Sequence, residues 1–257
     1  MIDPQSAKIY DLGQPYYVGM PHYPVHPPFL FGLTKQHGES VLPNGASSAA
    51  EALTLGGHVG THIDALSHFS CDGKLHGGFT PTQSHASGVQ EHSVDTVEPI
   101  LRSGVLFDIA RLMGVEALEE DFEVTPEHLA ACGVVPPTGG LALIRTGWAQ
   151  YWNEPKRYIF GGSGAVVRGP GPTLAGAQWL SARGIFAAGS DTVSFERVPS
   201  QMEVHVHLLV ESGIHIIECL NLESLARDGV KEFLFVALPL KIRGGTGSPI
   251  RPVALVG

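Results

Sequence analysis

Ile214-His215-Ile216-Ile217-Glu218 decides the architecture: a short apolar run, entered after Gly213 and closed by a carboxylate. Apolar runs of this length between turn residues read as buried strands. Just before it, Val204 to Ser212 reads as a helix that Gly213 stops. The same alternation extends outward. Upstream, Gly169-Pro170-Gly171-Pro172-Thr173 opens an amphipathic stretch from Leu174 to Arg183, Gly184 ends it, and Ile185-Phe186-Ala187-Ala188-Gly189 is a strand. Downstream, Leu222 to Arg227 is a short helix stopped by Gly229, and Phe233–Leu240 is the last strand. Earlier in the chain, Gly104-Val105-Leu106-Phe107-Asp108-Ile109-Ala110 and Leu141-Ala142-Leu143-Ile144-Arg145-Thr146 are further strands. Between them Thr125-Pro126-Glu127-His128-Leu129 starts a helix, with Thr as cap and Pro in the first turn, that ends near Gly133. Alternating helix and strand through the second half is the pattern of α/β or α+β layers. No repeat, low-complexity tract or linker interrupts the chain, so residues 1–257 read as one domain.

Composition narrows the function classes. With 43% hydrophobic and 16% charged residues, the chain buries a real core and is not disordered. Its 32 Gly and 19 Pro predict many tight turns and long loops. The formal net charge is −9 with no Lys/Arg cluster, so nucleic acid is not an expected partner. Met1-Ile2-Asp3-Pro4-Gln5 shows no secretory leader pattern, and no apolar run approaches a membrane span. Cys71, Cys132 and Cys219 are odd in number and far apart, which speaks against a disulfide framework and for a cytoplasmic location. Each is expected as a small core hydrophobe. Cys71 follows His68 closely enough to border a site, though not as a nucleophile.

The chemistry concentrates in Gly57-His58-Val59-Gly60-Thr61-His62-Ile63-Asp64-Ala65-Leu66-Ser67-His68. Three His and one Asp lie close together, undiluted by Lys, Arg or Glu. Imidazole and carboxylate are ligands for a divalent metal. His58, His62 and Asp64 converge on one ion if the backbone bends, and Gly57 and Gly60 permit that. The structural alternative is a His cluster on one helical face, but Thr54, Gly56, Gly57, Val59, Gly60, Thr61 and Ile63 are weak helix formers. The run looks instead like a strand, entered through Leu53 and Leu55, that passes into a turn. Asp72-Gly73-Lys74 then marks another turn.

A second set is His205, His207 and Glu218. The two His cannot share a helical face, and a buried Glu needs a partner, either an Arg or a metal. Gly161-Gly162-Ser163-Gly164 and Gly169-Pro170-Gly171 lack the spacing of nucleotide-binding loops, and no Gly-x-Ser-x-Gly elbow occurs. Gly189-Ser190-Asp191-Thr192 reads as a strand end whose Asp caps nearby backbone. The first fifty residues are loops and short strands. Within them Tyr16-Tyr17-Val18-Gly19-Met20-Pro21-His22-Tyr23-Pro24 and His26-Pro27-Pro28-Phe29 form an aromatic arm, either a packed surface loop or the wall of a small-molecule pocket.

His58 through His68 resembles the His-x-Gly-Thr-His-x-Asp-x-Pro-x-His signature of the cyclase family that includes bacterial kynurenine formamidase and isatin hydrolase. Pro27-Pro28-Phe29, Arg145-Thr146-Gly147-Trp148, Gly189 to Thr192 and the stretch from His205 through Leu222 are also similar to it. The resemblance implies an α/β fold of the swivelling β/β/α type, with a mixed β-sheet core and flanking helices, in homodimers or higher oligomers. It implies His58, His62 and Asp64 as metal ligands and His68 as a second-metal ligand or catalytic group. His205 and Glu218 complete the site, with His207 as rival to His205 because the spacing is one residue longer than in formamidases. Leu66 stands where formamidases carry Pro, a departure that bears on the substrate.

The expected activity is metal-assisted hydrolysis of an amide C–N bond in an aryl formamide or a cyclic amide such as isatin. One or two ions of Zn or Mn bind, and His68 or Glu218 moves the proton. Tyr23, Phe29 and Trp148 would sandwich an aromatic or cyclic substrate. Lactone or imide hydrolysis, or a cyclase or dehydratase reaction, uses the same ligands. A non-catalytic metal-stabilised binding protein is the reading from another class.

Overall fold

The computed structural model describes residues 6–162 and 164–257. Met1–Gln5 and Ser163 of the Gly161–Gly164 loop lie outside the described residues.

A nine-stranded mixed sheet organises the chain. Its middle is parallel: Ile100–Asp108, Leu141–Arg145, Ala187–Ser190 and His215–Glu218 lie side by side in that order. On one side the sheet continues antiparallel through His62–Asp64 to Gly247–Pro249. On the other it continues antiparallel through Glu232–Ala237 and Val253–Val256 to Lys8–Asp11. Every residue of Leu141–Arg145 is buried, as expected of a parallel strand covered on both faces. Strand residues alternate between two cores. Ile216 packs with Phe107, Ile144, Leu180 and Leu208 under the helix Leu174–Ser181 and the helical stretch from Glu203. Its neighbour Ile217 packs with Ile63, Leu143 and Phe235 on the opposite face, together with Leu225 of the helix Glu223–Arg227. The α/β class with a mixed sheet and flanking helices is as expected from the sequence.

Local signals account for most element ends. Thr125 caps the helix Pro126–Ala131 through a capping box. The Thr173 hydroxyl accepts from the Gly176 amide at the start of Leu174–Ser181. The helix Glu203–His205 runs on into a π-helical turn, Val206–Glu211, and ends before Gly213 at φ +66°. Asp191 caps backbone as anticipated: its carboxylate accepts from the amides of Thr146 and Gly147 and from the Thr146 hydroxyl.

Several expectations fail for tertiary reasons. The strand through Leu53 does not feed the histidine run: Ala50–Thr54 pairs only with Leu30–Lys35 in a separate hairpin. The run itself starts as a turn and becomes the strand His62–Asp64. The strand read at Gly104–Ala110 begins at Ile100 and gives way to the helix Ile109–Met113 after Asp108. Of the three cysteines only Cys219 is buried, and Cys71 is exposed on a turn.

Gly60 is the hinge of the run. It sits at φ +70°, and a Cβ there would lie 2.4 Å from Tyr16 Cζ. Gly60→Ala is therefore expected to lose about 2–4 kcal/mol, combining left-handed strain with overpacking. Gly45→Ala, at φ +82° with open space around it, should lose only about 1 kcal/mol in the same urea denaturation series.

Candidate metal centre

The site is built where the parallel part of the sheet meets its antiparallel neighbour. Glu218 closes the strand His215–Glu218 and pairs directly with His62. Ile216 pairs with Asp64. Residues two apart share a face, so His62, Asp64 and Glu218 point to one side. A fourth side chain, His205, comes from the helix Glu203–His205.

Hydrogen bonds orient each candidate side chain. His62 Nδ1 lies 2.7 Å from the Gly60 carbonyl and donates to it. This leaves Nε2 facing Asp64 Oδ1 at 3.5 Å and Glu218 Oε2 at 3.4 Å. His205 Nδ1 lies 2.6 Å from Glu196 Oε1, and its Nε2 lies 3.2 Å from Glu218 Oε1. Glu218 Oε1 also accepts from the Phe195 amide at 2.7 Å. His58 Nδ1 is 2.6 Å from Asp64 Oδ1, and its Nε2 is 2.9 Å from the Thr246 hydroxyl. Gly247 leaves room for that imidazole: a Cβ there would lie 2.4 Å from His58 Cε1.

Two sets of buried atoms have the spacing of a cation's ligands, His58 with His62 and Asp64, and Asp64 with His205 and Glu218; in each all ligand atoms fall within 4.8 Å. Asp64 belongs to both, and its Oδ2 is buried without a hydrogen-bond partner. An orphaned, fully buried carboxylate oxygen among imidazoles has the character of a cation ligand. Imidazole nitrogen with carboxylate oxygen suits a borderline divalent metal.

The protonation states fit as well. Burial disfavours charge on His62, but Asp64 and Glu218 outweigh it and raise its pKa to about 10. Burial is likewise outweighed at His205, where Glu196 and Glu218 raise the pKa to about 10. Glu218 is held down to about 2 by His205 and His62 against the effect of burial. The carboxylates thus hold protons in positions where a metal would compete for the same lone pairs.

His68 lies outside both ligand sets. It stacks on His58 with ring centroids 3.8 Å apart, and burial lowers its pKa to about 3, leaving the imidazole uncharged. His207 is elsewhere: it meets Glu211 and the Ser181 hydroxyl on the outer side of its helix. Of the rivals, only His205 reaches Glu218. The carboxylate of Glu218 pairs with His rather than Arg.

These groups border a cavity of about 240 Å³ with Tyr23, His26, Phe69, Val193, Ser194 and Met202 on its walls. Part of the aromatic arm is therefore a pocket wall. The expected sandwich is corrected: Phe29 and Trp148 pack in a core cluster with Met20 and Tyr158, and neither lines the cavity. Phe69 and His26 take their place, His26 stacking on His58 at 5.2 Å. Sequence reasoning missed Glu196, Ser194 and Thr246. Ser194 is on the wall with its hydroxyl buried and unpartnered. None of the three carries a motif or periodic signal; only the folded loops bring them near the histidines.

Comparison with known proteins gives a consistent relationship. The family described as Putative cyclase matches residues 10–197. Isatin hydrolase of Roseibium aggregatum is 27% identical over 213 residues, covering 79% of this chain and 73% of that one. Kynurenine formamidase of Bacillus cereus is 28% identical over 251 residues, 97% of this chain and 98% of that one. A crystal structure of a novel cyclase superposes with a TM-score of 0.87 at 27% identity, over 97% of this chain and 87% of the other. Isatin hydrolase A from Labrenzia aggregata bound to benzyl benzoate gives a TM-score of 0.73 at 25% identity, over 98% and 94%. By its signature, its fold and the span of the family match, the chain belongs to the Putative cyclase family.

Proposed function

We propose that this chain is a metal-dependent hydrolase that cleaves the amide C–N bond of a small aryl formamide or cyclic amide. The observation that carries the proposal is two ligand sets, His58 with His62 and Asp64 and Asp64 with His205 and Glu218, that share a buried carboxylate with one orphaned oxygen and whose His58, His62, His205 and Glu218 line a cavity walled by aromatic rings. The relatives support the substrate class, since two of them are named isatin hydrolase and kynurenine formamidase.

His58, His62 and Asp64 would hold one divalent ion, Zn²⁺ or Mn²⁺. Asp64, His205 and Glu218 would hold a second. When bound, such an ion acidifies a water and polarises a carbonyl. The chain's own residues do the rest. Glu196 fixes the His205 tautomer so that Nε2 faces the cavity, and the Gly60 carbonyl does the same for His62. His68, uncharged beside His58, takes the proton as water adds to the carbonyl carbon. It returns that proton to the nitrogen as the C–N bond breaks, leaving a carboxylic acid and an amine. Glu218 is the weaker proton acceptor, because His62, His205 and the Phe195 amide already engage it. Tyr23 and Phe69 face the substrate ring. A lactone or imide meets the same groups.

The decisive experiment combines metal analysis with turnover on N-formyl anilines, isatins, cyclic imides and lactones. Retained metal with hydrolysis of a formamide or isatin is expected. Retained metal with no turnover on the whole panel would sink the hydrolase reading and favour a metal-stabilised binding protein. His68→Ala should keep its metal and lose about 10²–10⁴-fold in kcat, the usual contribution of a proton-transfer group. Glu196→Gln should weaken metal binding about 10–100-fold while every ligand is intact, measured by competition with a chromogenic chelator.

Metal binding should also release protons. In the metal-free chain His62 and His205 stay protonated up to about pH 10. Affinity therefore rises with pH through neutrality, about tenfold per pH unit for each proton displaced. Calorimetry in buffers of different ionisation enthalpy checks this, and a pH-independent affinity would contradict it.

A further inference from the structure

A second cavity opens at the other end of the strand that carries Glu218. His215 begins that strand and pairs with Ala187, where the parallel strands start rather than where they end. The cavity holds about 320 Å³ and is bordered by Leu66, Glu98, Pro99, Arg102, Phe186 and His215, among others. Its volume is at the low end for a small-molecule site. It shares no lining residue with the cavity at the metal centre. Leu66, the residue that departs from the family signature, is on its wall.

The polar groups around this cavity are incompletely used. Arg102 is half-buried, and its guanidinium stacks over the Phe186 ring, 4.1 Å from the centroid. Stacking occupies the face of a guanidinium and leaves its N–H donors in the plane. Arg102 Nη1 donates to the Gly139 carbonyl at 3.0 Å. The rest of the fork has no partner among the described residues, and no carboxylate there pairs with it. His215 is 8% exposed, with its ring 5.0 Å from that of Phe186. Its Nδ1 donates to the Asp64 carbonyl at 2.9 Å. Burial disfavours charge on this ring, and an uncharged imidazole that donates from Nδ1 keeps a lone pair on Nε2. That lone pair has no partner among the described residues. Glu98, exposed on the same wall, has no ion-pair partner there either.

A cation with a free fork suits a carboxylate. An imidazole acceptor with a carboxylate on the same wall suits an amine. The apolar surface of Leu66, Pro99 and Phe186 suits a compact hydrocarbon or aromatic frame. We propose that this cavity is a second ligand site, for a small aminocarboxylic acid whose carboxylate meets Arg102 and whose amine meets His215 Nε2 and Glu98. Water added across the C–N bond of a cyclic amide leaves one molecule bearing both groups. On the hydrolase reading above, the product therefore belongs to this ligand class; the site itself does not depend on that reading.

Titration calorimetry of the metal-loaded protein with 2-aminobenzoate tests the site, with benzoate and aniline as probes that each lack one group. Saturable binding of 2-aminobenzoate is expected, and the other two should bind at least about tenfold more weakly. Arg102→Gln should lose at least about tenfold in affinity for 2-aminobenzoate, with circular dichroism reporting its fold. A probe held only at the metal centre would bind this variant as it binds wild type. His215→Phe keeps an aromatic ring beside Phe186 and should erase the preference for 2-aminobenzoate over benzoate. Should that variant not fold, the comparison of the two probes on wild type decides the amine contact. No saturable binding, equal affinity for benzoate, or an Arg102→Gln variant with undiminished affinity would each overturn the proposal. Every readout is a binding constant, so a lack of turnover would count against the hydrolase reading and leave this site standing.

Discussion

The antiparallel register between His62–Asp64 and His215–Glu218 is the constraint on which the site depends. It sets His62 opposite Glu218 and Ile216 opposite Asp64. A slip of one residue would turn every side chain on the moved strand to the other face. If His62–Asp64 moved, His62 and Asp64 would enter an apolar core and Ile63 would take their place. Apolar neighbours on both sides enforce the register: Ile63 and Ile217 belong to one core and Ile216 to the other. Packing thus positions the candidate ligands.

What the register creates is an electrostatic problem. Two buried carboxylates and their imidazoles share a small volume, with one oxygen unmatched. Removing charged groups from water is costly unless they are paired. Protons on His62 and His205 meet that requirement in part, and a divalent ion held by these residues would supply the positive charge that the carboxylates otherwise draw from protons. Glu196 matters for the same reason: it fixes an imidazole that would otherwise be free to turn.

Much of this was legible in the sequence because its signals are local. Gly184, Gly213 and Gly229 mark the ends of helices, Thr125 and Thr173 mark their starts, and the apolar runs at Leu141–Arg145 and His215–Glu218 are strands where expected. The histidine run was legible because nothing charged dilutes it, and its family signature named its relatives. The rest depended on tertiary placement. No spacing distinguishes the hairpin strand Ala50–Thr54 from a strand of the main sheet. Phe29 and Trp148 are as aromatic as Phe69, yet only Phe69 reaches the cavity. Glu196 lies in an unpatterned loop, and its role exists only once the helix holding His205 packs above it.

The two candidate ligand segments are separated by most of the chain, one at His58–Asp64 and the other at His205 and Glu218. An ion shared between them closes a very long loop in any state where both segments hold it. Such a closure removes conformational freedom from the unfolded chain, and the effect grows slowly with loop length. Occupancy would then act as a clasp across the whole topology, making the lifetime of the folded state, and its resistance to proteases, follow the metal supply as closely as turnover does.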